Sequence, residues 1–372
     1  MDILNQFYEI SQDSLAYARS WKNETGGKII GHFCSYTPEE IILAAGALPF
    51  RIFGSAENVT KSDSHLQAYS CSLVRGALGD ALSGHLYFLD GTVFPHTCDS
   101  IQRLSDIWRM NTNFSFHSDV IQPVKLNTKS AGDYMVSVIH KFKKDLESQL
   151  HVEITTEKMI NAVDHYNKLR SRLQRIYEIR RETPNVIDSS AVHAIVKSSM
   201  VMDRESLSEK LDQVIEKLES QKSSSAPSKK RLVAAGGLCN MPDIYQTLED
   251  SGARVVWDDF CTGSRYFEGN IDTNGDMIES IAQRYIERVV CPAKHSGLYS
   301  RGEHILKIVK QSKAQGVIFL FLKFCDPHSF DYPYIKGMLD KEGIPSMLFE
   351  IEDQLPSEGQ FKTRCEAFIE ML

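Results

Sequence analysis

The chain has 372 residues, 42% hydrophobic and 24% charged, the composition of an ordinary globular protein long enough for two or three domains. A formal net charge of -7 leaves no basic excess to neutralise phosphates, which excludes a general nucleic-acid binder. The start, Met1-Asp-Ile-Leu-Asn-Gln6, has neither the basic nor the apolar stretch of a secretory signal, and the longest apolar run, around 317–324, is far short of the ~20 residues of a membrane span, so the expected location is cytoplasmic.

The first third alternates strand and helix signals. Lys28–Phe33 reads as a short strand. Thr37-Pro38-Glu39-Glu40 has the form of a helix start, with Thr37 as cap, Pro38 at the first helical position and Glu40 closing a capping box. Ile41, Ile42, Ala44 and Ala45 supply the apolar face and Gly46 the stop. Leu48–Phe53 predicts a second strand and Leu73–Leu82 a helix just after Cys71. A buried strand then stops at Cys98, and Ile101–Met110 predicts a helix.

Residues 131–220 have another character. Met159, Val163, Tyr166, Leu169, Leu173, Ile176 and Ile179/Arg180 recur at three or four residues, which predicts a long amphipathic helix, and Leu207–Leu218 predicts another. Residues 221–230, Gln-Lys-Ser-Ser-Ser-Ala-Pro-Ser-Lys-Lys, form the clearest linker. Strands at 231–235, 253–258, before Cys325 and at 346–351 then alternate with helices at 243–250, 277–289, 303–314, 332–342 and 360–372. Such alternation implies parallel sheets with crossover helices. The expected fold is α/β, with two doubly wound parallel-sheet domains of flavodoxin or Rossmann type, 1–130 and 226–372, joined by a helical segment, 131–225.

Eight cysteines stand at 34, 71, 98, 239, 261, 291, 325 and 365. In a reducing compartment these are thiols or metal ligands rather than disulfides, and the absence of a close CxxC pair argues against zinc ribbons, ferredoxins and thioredoxin-like motifs. Cys365 shares a helical stripe with Phe361, Phe368 and Leu372 and reads as core. Cys98 and Cys325 each end a strand and precede Asp. One such site is explained by Asp capping the next helix; its repetition in both halves points to ligands in the crevice at the carboxyl ends of the strands. Cys71 precedes a helix, whose dipole favours the thiolate, the form that coordinates metal. Cys34, Cys239, Cys261 and Cys291 also occupy loops, and spacing does not choose among them.

Other signals are weaker. The 12 histidines form no HxH or HExxH pattern; His32, His96 and His328 lie near the cysteine loops, where a lone histidine is ordinarily a surface residue. Glu39, Glu40 and Arg265 are also nearby, Glu40 being accounted for as a cap. There is no GxxxxGK[ST], GxGxxG or GxSxG, so phosphate-loop, dinucleotide and serine-hydrolase chemistry are unsupported. The catalytic base is not legible.

Five stretches in order, 31–49 (Gly-His-Phe-Cys-Ser-Tyr-Thr-Pro-Glu-Glu onward), His96-Thr-Cys-Asp99, Asp258-Asp-Phe-Cys-Thr-Gly-Ser-Arg-Tyr266, Lys323-Phe-Cys-Asp-Pro327 and Thr363-Arg-Cys-Glu-Ala-Phe368, resemble the 2-hydroxyacyl-CoA dehydratase / benzoyl-CoA reductase family, most closely its smaller, beta-type iron–sulfur subunit. The resemblance spans nearly the whole chain. It implies a 4Fe-4S cluster on three cysteines, at positions matching Cys71, Cys98 and Cys325, with Cys34 the foremost extra thiol. It implies an acyl-CoA substrate, a paralogous second subunit or a homodimer, and a separate ATP-dependent iron–sulfur activator; the missing phosphate loop agrees with that division. The implied chemistry is 2-hydroxyacyl-CoA dehydration through a ketyl radical, in which one added electron lets the thioester expel its neighbouring hydroxyl, or the related reduction of benzoyl-CoA. Some relatives carry a double-cubane 8Fe-9S cluster and reduce small molecules. Cys34, Cys239, Cys261 and Cys291 keep that alternative open, beside a non-catalytic electron-transfer subunit and a flavodoxin-like module with incidental cysteines.

Overall fold

The computed structural model describes residues 2–55, 59–221, 229–237, 243–288, 291–352 and 358–372. Cys239 and most of the expected linker lie outside the described residues. In chain order the helices and strands are α1 (Ile3–Gln12), α2 (Ser14–Thr25), β1 (Lys28–His32), α3 (Glu39–Ala44), β2 (Ala47–Arg51), α4 (Val59–Ser62), α5 (Ser72–Leu82), β3 (Gly91–Pro95), α6 (Asp99–Asn111) and β4 (Phe116–Val120). Four long helices follow: α7 (Lys129–Leu150), α8 (Thr156–Glu182), α9 (Ser189–Ser199) and α10 (Arg204–Ser220). The remainder is β5 (Lys230–Gly236), α11 (Asp243–Asp250), β6 (Ala253–Asp259), α12 (Ser264–Phe267), α13 (Met277–Glu287), α14 (Ser300–Ser312), β7 (Gly316–Leu322), α15 (Asp326–Lys341), β8 (Ser346–Ile351) and α16 (Glu358–Glu370).

The fold is α/β with two four-stranded, all-parallel sheets, ordered β2-β1-β3-β4 and β6-β5-β7-β8. The two orders are the same, so the direction of winding reverses next to the first strand of each sheet, and the loops there frame a crevice at the carboxyl ends. Helices cover the sheets, which is why β7 reads as a continuous apolar run, Gly-Val-Ile-Phe-Leu-Phe-Leu, buried up to Leu322. Edge strand β4 alternates buried Phe116, Ser118 and Val120 with half-buried His117 and Asp119. Its polar content conceals it in the sequence, and no strand is expected there.

The stripe of α8 is buried as its spacing predicts, yet it also buries Arg170 and Arg180. Arg170 pairs with Glu40 on α3, and Arg180 lies 3.4 Å from Asp258 on β6. Tyr177 Oη donates to the same Asp258 at 2.6 Å. Helix α8 thus ties the two sheets together through charges sited on an apolar face. Cys365 is fully buried with Phe361 and Phe368, as expected of a core residue.

Three expectations are corrected. The capping box at α3 does not form: Pro38 occupies the cap, no side chain caps the helix, and the Thr37 hydroxyl has no partner among the described residues. Glu40 is fully buried and takes Arg170 instead, because a buried carboxylate gains more from a guanidinium than from one backbone N–H. Secondly, α15 starts at Asp326, not Tyr332; Pro327 pre-sets its first turn, and Pro333 is accommodated inside the helix. Thirdly, His32 and His328 are buried, not surface residues. Among the described residues no helix is long and apolar enough to cross a membrane.

Candidate metal centre

Cys71, Cys98 and Cys325 line one cavity of about 490 Å³. Each holds the cap position of a helix, α5, α6 and α15 respectively. The cap is thus the cysteine itself, while Asp99 and Asp326 open the first turn, where a carboxylate suits the helix dipole. Cys98 and Cys325 leave equivalent strands, β3 and β7; Cys71 follows the connection out of β2.

The two Cys-Asp turns are held differently. Before Cys98, the N–H of His96 donates to the Val120 carbonyl at 3.0 Å, and His96 Nε2 lies 2.8 Å from Asp119 Oδ1. Ser105 donates to that same carboxylate oxygen and lies 3.0 Å from His117 Nε2. Burial works to raise the Asp119 pKa, but hydrogen bonds from His117, Ser105 and His96 outweigh it and hold the carboxyl well below its usual range. At Cys325 the preceding Phe324 adopts φ +67°, a left-handed conformation costing on the order of 1–3 kcal/mol for such a residue. Cys325 Sγ lies 3.2 Å from His328 Nδ1. Burial depresses the His328 pKa to about 3, which keeps that ring neutral.

Burial pushes the Cys98 thiol up to about 12, and the Cys71 and Cys325 thiols rise for the same reason. The helix-dipole expectation for Cys71 is therefore corrected: its sulfur makes no cap hydrogen bond, and desolvation, with the charge of Asp326, outweighs the N–H groups at the start of α5. Each thiol also feels the others, Cys98 through Cys71 and Cys325 through both. A metal removes that penalty by displacing the protons and balancing the charge.

A second trio adjoins the first. Cys34 follows β1, Cys261 follows β6 and Cys291 follows α13. Cys261 and Cys291 interact closely, and that interaction, with Arg265, Arg51 and Arg288 nearby, holds the Cys261 thiol well below its usual range. Cys34 is within electrostatic reach of Cys291 and Cys98, and Cys261 of Cys325, which links the two trios. Lys294 stands between the trios, lining the cavity and facing Cys34, Cys291 and Cys98, with Nζ 3.3 Å from the Gln122 carbonyl. Burial lowers its pKa.

The Cys261 turn is sterically specific. A Cβ on Gly263 would collide with Asp258 Oδ1, the oxygen that accepts from Ser264 N. Gly236, at φ +157°, ends β5 with its Cα against the Leu320 carbonyl, and a Cβ there would collide with that oxygen. Below Cys34, Glu39 accepts from Tyr166 at 2.8 Å and from Arg204 and Tyr266 at 3.2 Å, with His32 3.7 Å away. Burial opposes ionisation, but His32, Arg204 and Tyr166 hold the Glu39 carboxyl below its usual range, as a fixed carboxylate.

Cys34, Cys71, Cys98 and Cys325 are thus brought to one region, joined by Cys261 and Cys291, whose grouping the sequence does not reveal. Cys291 follows a helix, and its one local signal is the following proline. Among the described residues no three His, Cys, Asp or Glu side chains lie close enough to hold a single metal ion. Thiols spread around a cavity suit a polynuclear cluster, whose ligands stand farther apart than those of one ion.

Comparison with known proteins places these observations. Residues 34–372 match the family model described as 2-hydroxyglutaryl-CoA dehydratase, D-component. The chain is 27% identical to the (R)-phenyllactyl-CoA dehydratase beta subunit of Clostridium sporogenes, over 99% of this chain and 98% of that one. It is 26% identical to the (R)-2-hydroxyglutaryl-CoA dehydratase beta subunit of Acidaminococcus fermentans, over 100% and 99%. It is also 27% identical to one of the subunits of benzoyl-CoA reductase from Thauera aromatica, over 90% and 88%. With a family model covering all but its first 33 residues, and thiols converging at the carboxyl ends of two parallel sheets, the chain belongs to the 2-hydroxyglutaryl-CoA dehydratase D-component family.

Proposed function

We propose that the protein is the iron–sulfur subunit of an acyl-CoA enzyme that uses low-potential single electrons, for 2-hydroxyacyl-CoA dehydration or the related reduction of benzoyl-CoA. The observation that carries this reading is the convergence of Cys71, Cys98 and Cys325, from both sheets, on one cavity. When bound, a 4Fe-4S cluster on three thiolates supplies a low-potential electron and one iron without a protein ligand. The chain's own residues do the rest. The cap positions of α5, α6 and α15 aim the three thiols, the Asp119 cluster and His328 fix their turns, and Lys294 lines the cavity beside Cys98. Tyr69, Phe330 and Tyr334 give its wall an apolar surface for an acyl chain.

The relatives are named as subunits, which supports a paralogous second subunit or a homodimer. The absent phosphate-loop motif supports a separate ATP-dependent iron–sulfur activator, and the cytoplasm is the compartment in which such thiols stay reduced. Anoxic purification should yield about four iron and four sulfide per chain, with an EPR signal that changes when acyl-CoA and the partner subunit are added. A colourless, iron-free protein that keeps its activity would overturn the reading. An unperturbed signal would leave a non-catalytic electron-transfer subunit.

A second reading is favoured by a specific observation, the adjoining trio of Cys34, Cys261 and Cys291. Two trios are the donor set for a double-cubane 8Fe-9S cluster, and about eight iron per chain would select it.

A further inference from the structure

The two trios lie in opposite electrostatic surroundings. Around the trio that does not line the cavity, here called the buried one although Cys261 itself is half-buried, stand Arg51, Arg265 and Arg288, at most 4% exposed and all within electrostatic reach of Cys261. Arg265 also faces Cys291 and Cys34. Its Nη2 donates to the Gly236 carbonyl and its Nε stands 3.4 Å from Asp259 Oδ1, yet neither Nε nor Nη1 makes a hydrogen bond among the described residues. Asp259 is shared with Arg301, at 2.5 Å, and with His304, at 3.8 Å. Arg288 donates to Ser35 and to the Arg265 carbonyl, and the Nε atoms of Arg51 and Arg288 are likewise without a partner. The other acid near Arg288, Glu268, is pushed up to about 7 by burial, so it compensates weakly. Each of the three guanidinium groups thus keeps at least one buried N–H without a hydrogen-bond partner among the described residues, within electrostatic reach of Cys261.

Around the open trio the balance is reversed. Asp326 faces Cys71, Asp99 and Asp331 line the same cavity, and the charge of Arg301 is taken up by Asp259 and by Asp331 at 2.6 Å. Lys294 faces two thiols of the buried trio, Cys34 and Cys291, and one of the open trio, Cys98, so it adds to the same asymmetry.

We propose that this asymmetry ranks two redox centres: the centre held by Cys34, Cys261 and Cys291 accepts an electron before the one held by Cys71, Cys98 and Cys325, and Arg265 sets the gap. The inference rests on the double-cubane reading. Each added electron makes a centre more negative by one charge, and a fixed cation at low dielectric stabilises that charge more than a solvated one does. In each step an external one-electron donor is oxidised and one centre is reduced; no protein bond forms or breaks. The buried centre is then the electron store, and the open centre, facing the cavity, takes the later electron that a substrate can reach.

The test is an anoxic titration with dithionite, followed by EPR, together with iron analysis, on the whole protein and on the variants R265Q, R265K and R288Q. On the double-cubane reading, the wild type should hold about eight iron and be reduced in two separate waves. R265Q at full iron should change the first wave's reduced-to-oxidised ratio at least tenfold, a negative shift of about 59 mV for one electron, with the second wave moving less. R265K should keep the wild-type first wave, because it keeps the charge, and R288Q should move it in the same direction by a smaller amount. A fully loaded R265Q with an unmoved first wave, or with both waves moved equally, overturns the inference. If R265Q loses half its iron while R265K keeps all of it, charge is again the cause; if both lose it, Arg265 is a packing residue and the inference fails. A wild type with about four iron refutes the double-cubane reading itself, whatever Arg265 does.

Discussion

In the N-terminal half cysteines follow β1, β2 and β3; in the C-terminal half Cys261 and Cys325 follow β6 and β7, the counterparts of β2 and β3, while Cys291 follows helix α13 and has no such counterpart. The halves therefore repeat one another in strand order and in the loops that carry thiols. They differ in how those thiols are shared. The open trio takes Cys71 and Cys98 from the first half and Cys325 from the second, whereas the buried trio takes Cys34 from the first and Cys261 and Cys291 from the second. Neither half completes a trio alone. The repeat supplies the loops, and the docking of the sheets through α8 and its buried charges decides which sulfurs meet.

The sharpest break in this comparison comes from the cysteines. Cys98→Ser and Cys325→Ser, in different halves, should have the same effect: loss of the open trio's iron and of any response of the EPR signal to acyl-CoA. On the double-cubane reading, Cys261→Ser should remove the buried trio's iron and spare that response. Cys365→Ser, buried in the α16 core, should change neither. Unequal outcomes for Cys98 and Cys325 would mean that the repeat does not build one centre.

The joint between the halves is tested next. Arg170→Met leaves Glu40 buried without its partner and should cost about 3–5 kcal/mol in urea unfolding. The double variant with Glu40→Leu should recover most of that, since a buried pair replaced by apolar residues is close to neutral. A loss below about 1 kcal/mol would sink the idea that α8 fixes α3 and the Cys34 loop beside it.

Smaller is the difference between the two Cys-Asp turns. Asp119→Asn weakens the bonds to His96, Ser105 and His117 and should cost about 1–3 kcal/mol. It should also make the Cys98 iron easier to chelate than in the wild type, as read by the rate of colour loss with a chelator. An unchanged rate would assign the Asp119 cluster to stability alone.

The gentlest test is pH. His193 on α9, which packs against both α1 and α11, is buried with neither ring nitrogen partnered among the described residues, and burial lowers its pKa to about 3. The unfolded chain takes up a proton below about pH 6.5 that the folded chain refuses, so stability is full above that pH and falls as pH drops toward 3. The slope is at most about 1.4 kcal/mol per pH unit for one proton, and His193→Phe should flatten the urea midpoint over that window.

Much of this was legible before the fold. The alternation of strand and helix, the apolar run of β7, the α8 stripe and the core role of Cys365 follow from period and burial, which are local properties of the chain. The Cys-Asp turns were legible because a cysteine at a strand end stands where open sheets bind ligands. β4 was missed because edge strands need not be apolar, and Glu40 was misread because a capping box and a buried ion pair use the same residue at the same spacing.

What the sequence determined by itself is therefore the set of thiols and the loops that carry them. The tertiary structure alone decided their division into an open and a buried trio, since that depends on which loops of the two halves are brought together. It also decided the charge around each trio. Arg51, Arg265 and Arg288 come from three distant stretches, and a field that acts through space at low dielectric leaves no mark in sequence spacing.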